Sequence, residues 1–147
     1  MKRQERTENL KLIYTIFCDD VRLEVGNKLS LMGTFQNIVA QPQQIPLTLL
    51  KFAVVNHWQG EGEYLAEVRI LSPDRQRTIV ISQPTRFEIL PGGFADNISF
   101  FINVTFPEPG QYWVQTLINA EVFDEQPLGV VIAQAQTSVA DATDSIN

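Results

Sequence analysis

Asn97–Ile132 reads NISFFINVTFPEPGQYWVQTLINAEVFDEQPLGVVI. In its first run Ile98, Phe100, Ile102, Val104 and Phe106 alternate with Ser99, Phe101, Asn103 and Thr105. That is the two-residue period of a β-strand, and it predicts that the first set faces a core. Pro107-Glu108-Pro109-Gly110 then stops the strand, because proline lacks a ladder N–H and glycine accepts a turn's positive φ. The chain resumes at Tyr112–Ile118, rich in the aromatic and β-branched residues that suit a pleated surface. Asn119-Ala120 predicts a second reversal into Glu121-Val122-Phe123, since Asn tolerates the left-handed region. Leu128–Ile132, after Pro127, predicts a last strand.

Outward from this stretch the same signals repeat. Leu10–Cys18 is a near-continuous apolar run and predicts a strand, with Asp19-Asp20 breaking it in a turn. Val21, Leu23 and Val25 alternate with Arg22 and Glu24, and Gly26-Asn27 predicts a hairpin into Lys28–Gly33. Gln36–Pro46, with four glutamines and two prolines, predicts a long crossing loop. Leu47–Val55 is the most apolar run and predicts a central strand closed by His57-Trp58, followed by a Gln59–Gly62 loop. Tyr64–Leu71, Thr78–Ser82 and Arg86–Leu90 predict further strands, and Pro91-Gly92-Gly93 leads back to the starting stretch. Eight or nine short strands with regular turn signals and no amphipathic helix predict an all-β fold, an antiparallel β-sandwich with immunoglobulin-like or Greek-key connections.

The 147 residues suit one domain. The expected division is a polar arm over 1–9, the domain over 10–132, and an Ala/Gln/Ser/Thr/Asp-rich tail over 133–147 expected to be disordered. Apolar residues make up 44% and charged residues 19%, the balance of a soluble globular protein with a rather neutral surface. A net charge of −6 opposes attraction to nucleic-acid phosphates or anionic membranes, so neither is an expected partner. No apolar window reaches membrane-span length. Met1-Lys2-Arg3 ahead of Leu12–Cys18 does not make an export signal, because Glu5 and Glu8 interrupt its charge and Phe17 is too bulky for processing. One cysteine, Cys18, permits no internal disulfide. Together these give a cytoplasmic expectation.

Two stretches taken together carry a resemblance: Cys18-Asp19-Asp20-Val21-Arg22 continuing to Gly26–Gly33, and Pro109-Gly110-Gln111-Tyr112 continuing to Pro127-Leu128. They resemble a bacterial family of small all-β proteins catalogued as a domain of unknown function, over about Leu12 to Ile132. The second stretch is also similar, over one hairpin, to immunoglobulin-like or C2-like sandwiches. The resemblance implies a fold and no activity.

Candidate chemistry is sparse. Asp19, Asp20 and Glu24 could offer oxygens to calcium, but the spacing matches no known loop, and a capped turn explains them; no metal site is expected. His57 is the sole histidine, so a thiol-based dyad could only be Cys18 with His57, and no motif supports it; no catalytic residue and no cofactor are expected. If Tyr112, Val114 and Ile118 face the core, Trp113 and Leu117 face out, and Phe101 lies opposite its own strand's core set. Phe101, Trp113 and Leu117 are therefore the expected interaction face for a protein partner or self-association. The alternative is a carbohydrate or small-ligand site at a loop carrying His57 and Trp58. Binding without catalysis is expected in either case; an enzyme of unknown type, with a pocket combining His57 with Cys18 or a carboxylate, is the third and last alternative.

Overall fold

The computed structural model describes residues 6–133. Eight strands follow a 3-10 turn at Arg6–Asn9, and a second 3-10 turn at Pro42–Gln44 separates the third from the fourth: β1 (Leu10–Glu24), β2 (Lys28–Phe35), β3 (Asn37–Ala40), β4 (Leu47–Leu71), β5 (Thr78–Ile81), β6 (Thr85–Phe106), β7 (Gly110–Ile118) and β8 (Glu121–Ile132). The fold is all-β. The strands form one hydrogen-bonded sheet in the order β2-β1-β4-β7-β8-β3, with β5 and β6 also pairing to β4. It is mixed, because β3 runs parallel to β8 while every other pair is antiparallel. Apart from Arg6–Asn9, the expected arm over 1–9 lies outside the described residues, and so does the expected tail beyond Ala133.

Two expected loops are strand instead. The Gln59–Gly62 break lies inside the 25-residue β4, and Pro91-Gly92-Gly93 lies inside the 22-residue β6. The two strands stay paired, Gly60 opposite Gly93, and the register shifts between Gly60 and Gly62. Gly60, Gly62 and Gly92 all take positive φ, so both strands turn the same corner without losing their ladder. Gly60 is irreplaceable for a second reason: a Cβ there would collide with the carbonyl of Asn9.

The corner brings distant parts of β4 together. Phe52 and Val68 would be ~50 Å apart on a straight strand, yet they belong to one core cluster with Phe17, Phe101, Phe106, Tyr112 and Leu128. Asn56 lies between the two halves of the sheet, its Nδ2 donating to Thr15 Oγ1 at 2.9 Å and Thr116 Oγ1 at 3.2 Å. A second cluster, around Trp58, Tyr64, Ile89 and Ile118, fills the glycine-corner end.

The remaining differences are local. The expected crossing loop holds β3, so the chain does cross from β1 to β8, but as a short parallel strand. Asp19-Asp20 does not break β1. Asp19 sits beside Gly33, whose φ of 68° leaves room for the aspartate where a Cβ would collide with it, and Asp20 pairs with Lys51 at 3.0 Å. The Asn119-Ala120 turn forms with φ of 52° and 70°, the left-handed pair that joins twisted strands.

Candidate functional site: an exposed edge strand and its aromatic ladder

Between Gly93 and Phe106, β6 pairs with β4 on one side, and among the described residues no strand pairs with the other. The strand's side chains are distributed by one residue. Asn103 adopts φ 54°, which rotates the chain and reverses the alternation. Val104 and Phe106 point inward on one side of it, and Phe101, Ser99 and Asn97 on the other. Phe100 and Ile102, expected in the core, are 49% and 69% exposed. Opposite Asn103 the same reversal occurs in β4, where Leu47 and Phe52 are buried but Leu50 and Lys51 are exposed. With both strands switching together, the register is unchanged.

The outer face of β1, β4 and β6 therefore carries a row along β6, namely Phe94, Asp96, Ile98, Phe100 and Ile102. Beside it lies a ladder of three rings. Tyr14 stacks on His57 with centroids 4.8 Å apart and planes 14° apart, and His57 stacks on Phe94 at 5.4 Å and 9°. Parallel rings this close lie face to face, so the ladder shows solvent its edges and its two end faces. His57 Nδ1 is 2.7 Å from Asp96 Oδ1, which fixes the imidazole's orientation. Burial raises the Tyr14 pKa above 10.0, and the Asp96 carboxylate adds to the rise.

The expected interaction face does not form. Phe101 is buried at 3% exposure, stacked on Phe52 at 5.1 Å, because the Asn103 reversal turns it inward. Leu117 is buried at 6%. Trp113 does lie on the outer side of β7, but Arg75 covers it, the guanidinium carbon 4.1 Å from the ring centroid. The expected ligand loop is not a loop. His57 and Trp58 are consecutive residues of β4 on opposite faces, and Trp58 is 0% exposed, against Phe87 and Phe123. Of the two expected groups, His57 and Trp113 keep partial exposure, on different strands, and His57 is joined by Tyr14 and Phe94, which have no part in either expected group.

Thiol and imidazole are apart as well. Cys18 lies opposite Ala53 and His57 opposite Tyr14, four β4 residues away or ~13 Å. Cys18 is fully buried, and burial, with help from Asp19, pushes its thiol pKa up. Among the described residues no three His, Cys, Asp or Glu side chains cluster as metal ligands, and no helix is long and apolar enough to cross a membrane.

These features define an all-β domain with one long, bare, nearly uncharged edge strand. The chain belongs to the family of unknown function DUF6941, which residues 13–131 match. No curated protein matches it. Among solved structures, the chain resembles the Pseudomonas fluorescens alkylpurine DNA glycosylase AlkC bound to DNA containing an abasic site analogue, with a TM-score of 0.54 and 8% identity. That likeness covers 84% of this chain but only 30% of the glycosylase, and at this identity it shows the fold alone. Weaker likenesses are to the Listeria innocua β-glucosidase in complex with isofagomine (TM-score 0.48, 10% identity, 84% of this chain and 16% of that one) and to the C-terminal domain of wzt (0.44, 10%, 87% and 75%). The single mixed sheet fits an immunoglobulin-like or C2-like arrangement only loosely.

Proposed function

We propose that this domain acts by binding rather than catalysis, as an assembly module that joins a second copy of itself along β6, its folded-over sheet serving as a β-sandwich. The observation that carries the reading is the composition of the free edge. From Phe94 to Phe106 its one charged residue is Asp96, already held by His57, while Phe94, Phe100 and Ile102 face solvent. Monomeric proteins blunt such edges with lysines, prolines or very short strands, and this edge has none of these. Of the other outer strands, β2 has eight residues and opens on Lys28, and β3 and β5 have four residues each.

The occupant follows from charge and symmetry. A chain of net charge −6 repels its own copy except where the contact is neutral, and this strip carries one charged residue, Asp96, between Phe94 and Phe106. An edge meeting its own copy antiparallel about a two-fold axis is self-complementary, continuing the sheet across the contact and covering the outer-face phenyl rings of both copies. Binding rather than catalysis is supported by the single imidazole being clamped between two rings and the single thiol lying buried four residues away.

Light scattering on the purified protein over a concentration series tests this, together with the double variant Phe100→Lys/Ile102→Lys. The expected result is a dimer for wild type and a folded monomer for the variant, since both side chains are exposed and an edge lysine opposes strand addition. A wild type that is monomeric at every concentration, or a variant that dimerises like wild type, overturns the reading.

A further inference from the structure

On the opposite side of β1 from β4 and β6, a cleft of about 800 Å³ opens between β1 and β2 on one wall and β7 and β8 on the other. This lies within the roughly 300–1,000 Å³ of small-molecule sites. Its polar lining is Thr15, Thr34, Gln36, Asn37, Gln111 and Gln126, and no residue lining it carries a charge. Phe17 and Phe35, tilted 40° to each other with centroids 6.1 Å apart, give it an aromatic side. We propose that this cleft binds a neutral saccharide, its hydroxyls held by the amide side chains and an apolar C–H face laid against the half-buried Phe35 ring, which Phe17 backs from the core.

Three observations lead there. Each primary amide offers an acceptor oxygen and two N–H donors, the mixed capacity that neighbouring hydroxyls match and a single ion does not. That capacity is unspent: among the described residues the side chains of Thr34, Gln36, Asn37 and Gln111 have no hydrogen-bond partner, and Gln126 uses one N–H, on Asp124. Thr15 adds a donor, because its Oγ1 already accepts from Asn56 Nδ2 and its O–H is left to point elsewhere. Asn37 is also placed. Its Oδ1 occupies the space over Gly129 that a Cβ would fill, which orients the amide across the wall.

The same cleft adjoins free edges of β1 and β8, where an extended peptide could add as a strand. The β8 edge is interrupted by Pro127, which has no N–H, and the β1 edge ends inside the cleft, where Phe17 is already paired with Phe35 of β2. Unspent amides with interrupted edges favour the saccharide.

The test is a two-dimensional NMR titration of the full-length ¹⁵N-labelled protein with glucose, galactose, mannose, N-acetylglucosamine and maltotriose, each to ~50 mM, enough to fill even a millimolar site. At least one sugar is expected to give saturable shifts at the side-chain amides of Gln36, Asn37 and Gln111. Gln36→Ala and Gln111→Ala, both exposed and harmless to folding, should each weaken that binding about fivefold. Gly129→Ala, whose methyl displaces the Asn37 amide, should weaken it as well. The proposal is overturned if no sugar gives a saturable shift at these amides, or if binding is unchanged in both glutamine variants. It is equally overturned if an alternating Thr-Val heptapeptide, and no sugar, perturbs the Thr15 and Ile16 backbone. The Phe100→Lys/Ile102→Lys variant should bind sugar like wild type, so failure at one surface leaves the other standing.

Discussion

β6 and β7 are equally apolar, yet they end up in opposite states. The segment Phe94–Phe106 leaves Phe94, Phe100 and Ile102 bare, whereas along Tyr112–Ile118 only Trp113 keeps partial exposure. The inner faces are equivalent, for both feed the same core cluster. What differs is the outer covering. Over β7, Arg75 lies on Trp113 and grips Glu125 through two bonds of 2.5 and 2.8 Å, and Gln115 bridges Glu125 and Arg69. Over β6 the polar contacts are the His57–Asp96 hydrogen bond and the Lys51–Asp20 ion pair, at the margins of the row. Alternation decides which way a side chain points, and long charged neighbours decide whether that direction is wet. A sealed face belongs to a strand finished within its own chain. An unsealed one is free for a partner.

The sharpest break in this comparison is the inward-outward assignment of two adjacent phenylalanines. Phe101→Ala should cost about 3–5 kcal/mol, because it empties a packed site against Phe52. Phe100→Ala should cost ~1 kcal/mol or less in urea unfolding at low protein concentration, where association does not contribute. If the two costs are equal or reversed, the regular alternation of the sequence is correct and the β6 row is not on the surface. The next effect is that of the reversing residue. Asn103→Val places a β-branched side chain at φ 54° and should cost about 1–2 kcal/mol, while Asn103→Gly should stay within about 1 kcal/mol of wild type. Equal tolerance of both would show that no left-handed residue sits there.

Most strands were legible because their residues alternate and their turns carry Gly, Pro or Asn, as at Asn119-Ala120 and Pro107–Gly110. The surface was much less so. One left-handed Asn inverts five positions on β6, and a two-residue period contains no sign of it; the only clue is that Asn is the residue type that tolerates such a conformation. The glycines at 60, 62, 92 and 93 read as loops because a turn and a bent, still-paired corner make the same local demand, and only the pairing of one segment with the other distinguishes them. Tyr14, His57 and Phe94 come from three strands and meet only in register, so no local pattern could assemble them. Leu117 was assigned to the correct side of β7, but its covering depends on residues elsewhere in the chain. In the same way Gln36, Asn37 and Gln111 read as loop and turn polarity until β3, which starts at Asn37 just after Gln36, pairs with β8.

The smallest expected effect concerns the seal itself. Glu125 has its pKa lowered below the ordinary 4.5, first by the hydrogen bond from Arg75 and then by that from Gln115. A carboxyl depressed in the fold stabilises it fully above the ordinary value and loses that contribution as pH falls through the lowered one. The β7 covering should therefore hold at neutral pH and loosen on acidification below pH 4.5, releasing Arg75 from over Trp113. Acrylamide quenching reads this directly, since Trp58 is fully buried and the accessible fluorescence belongs to Trp113. The accessible fraction should rise from about pH 5 to about pH 3 in wild type. In Glu125→Gln it should already be raised at neutral pH and stay flat across that window. A wild type whose quenching does not change while its far-UV circular dichroism stays native would mean that Trp113 is held by something other than the Arg75–Glu125 pair. The contrast between a sealed β7 and an open β6 would then need a different cause.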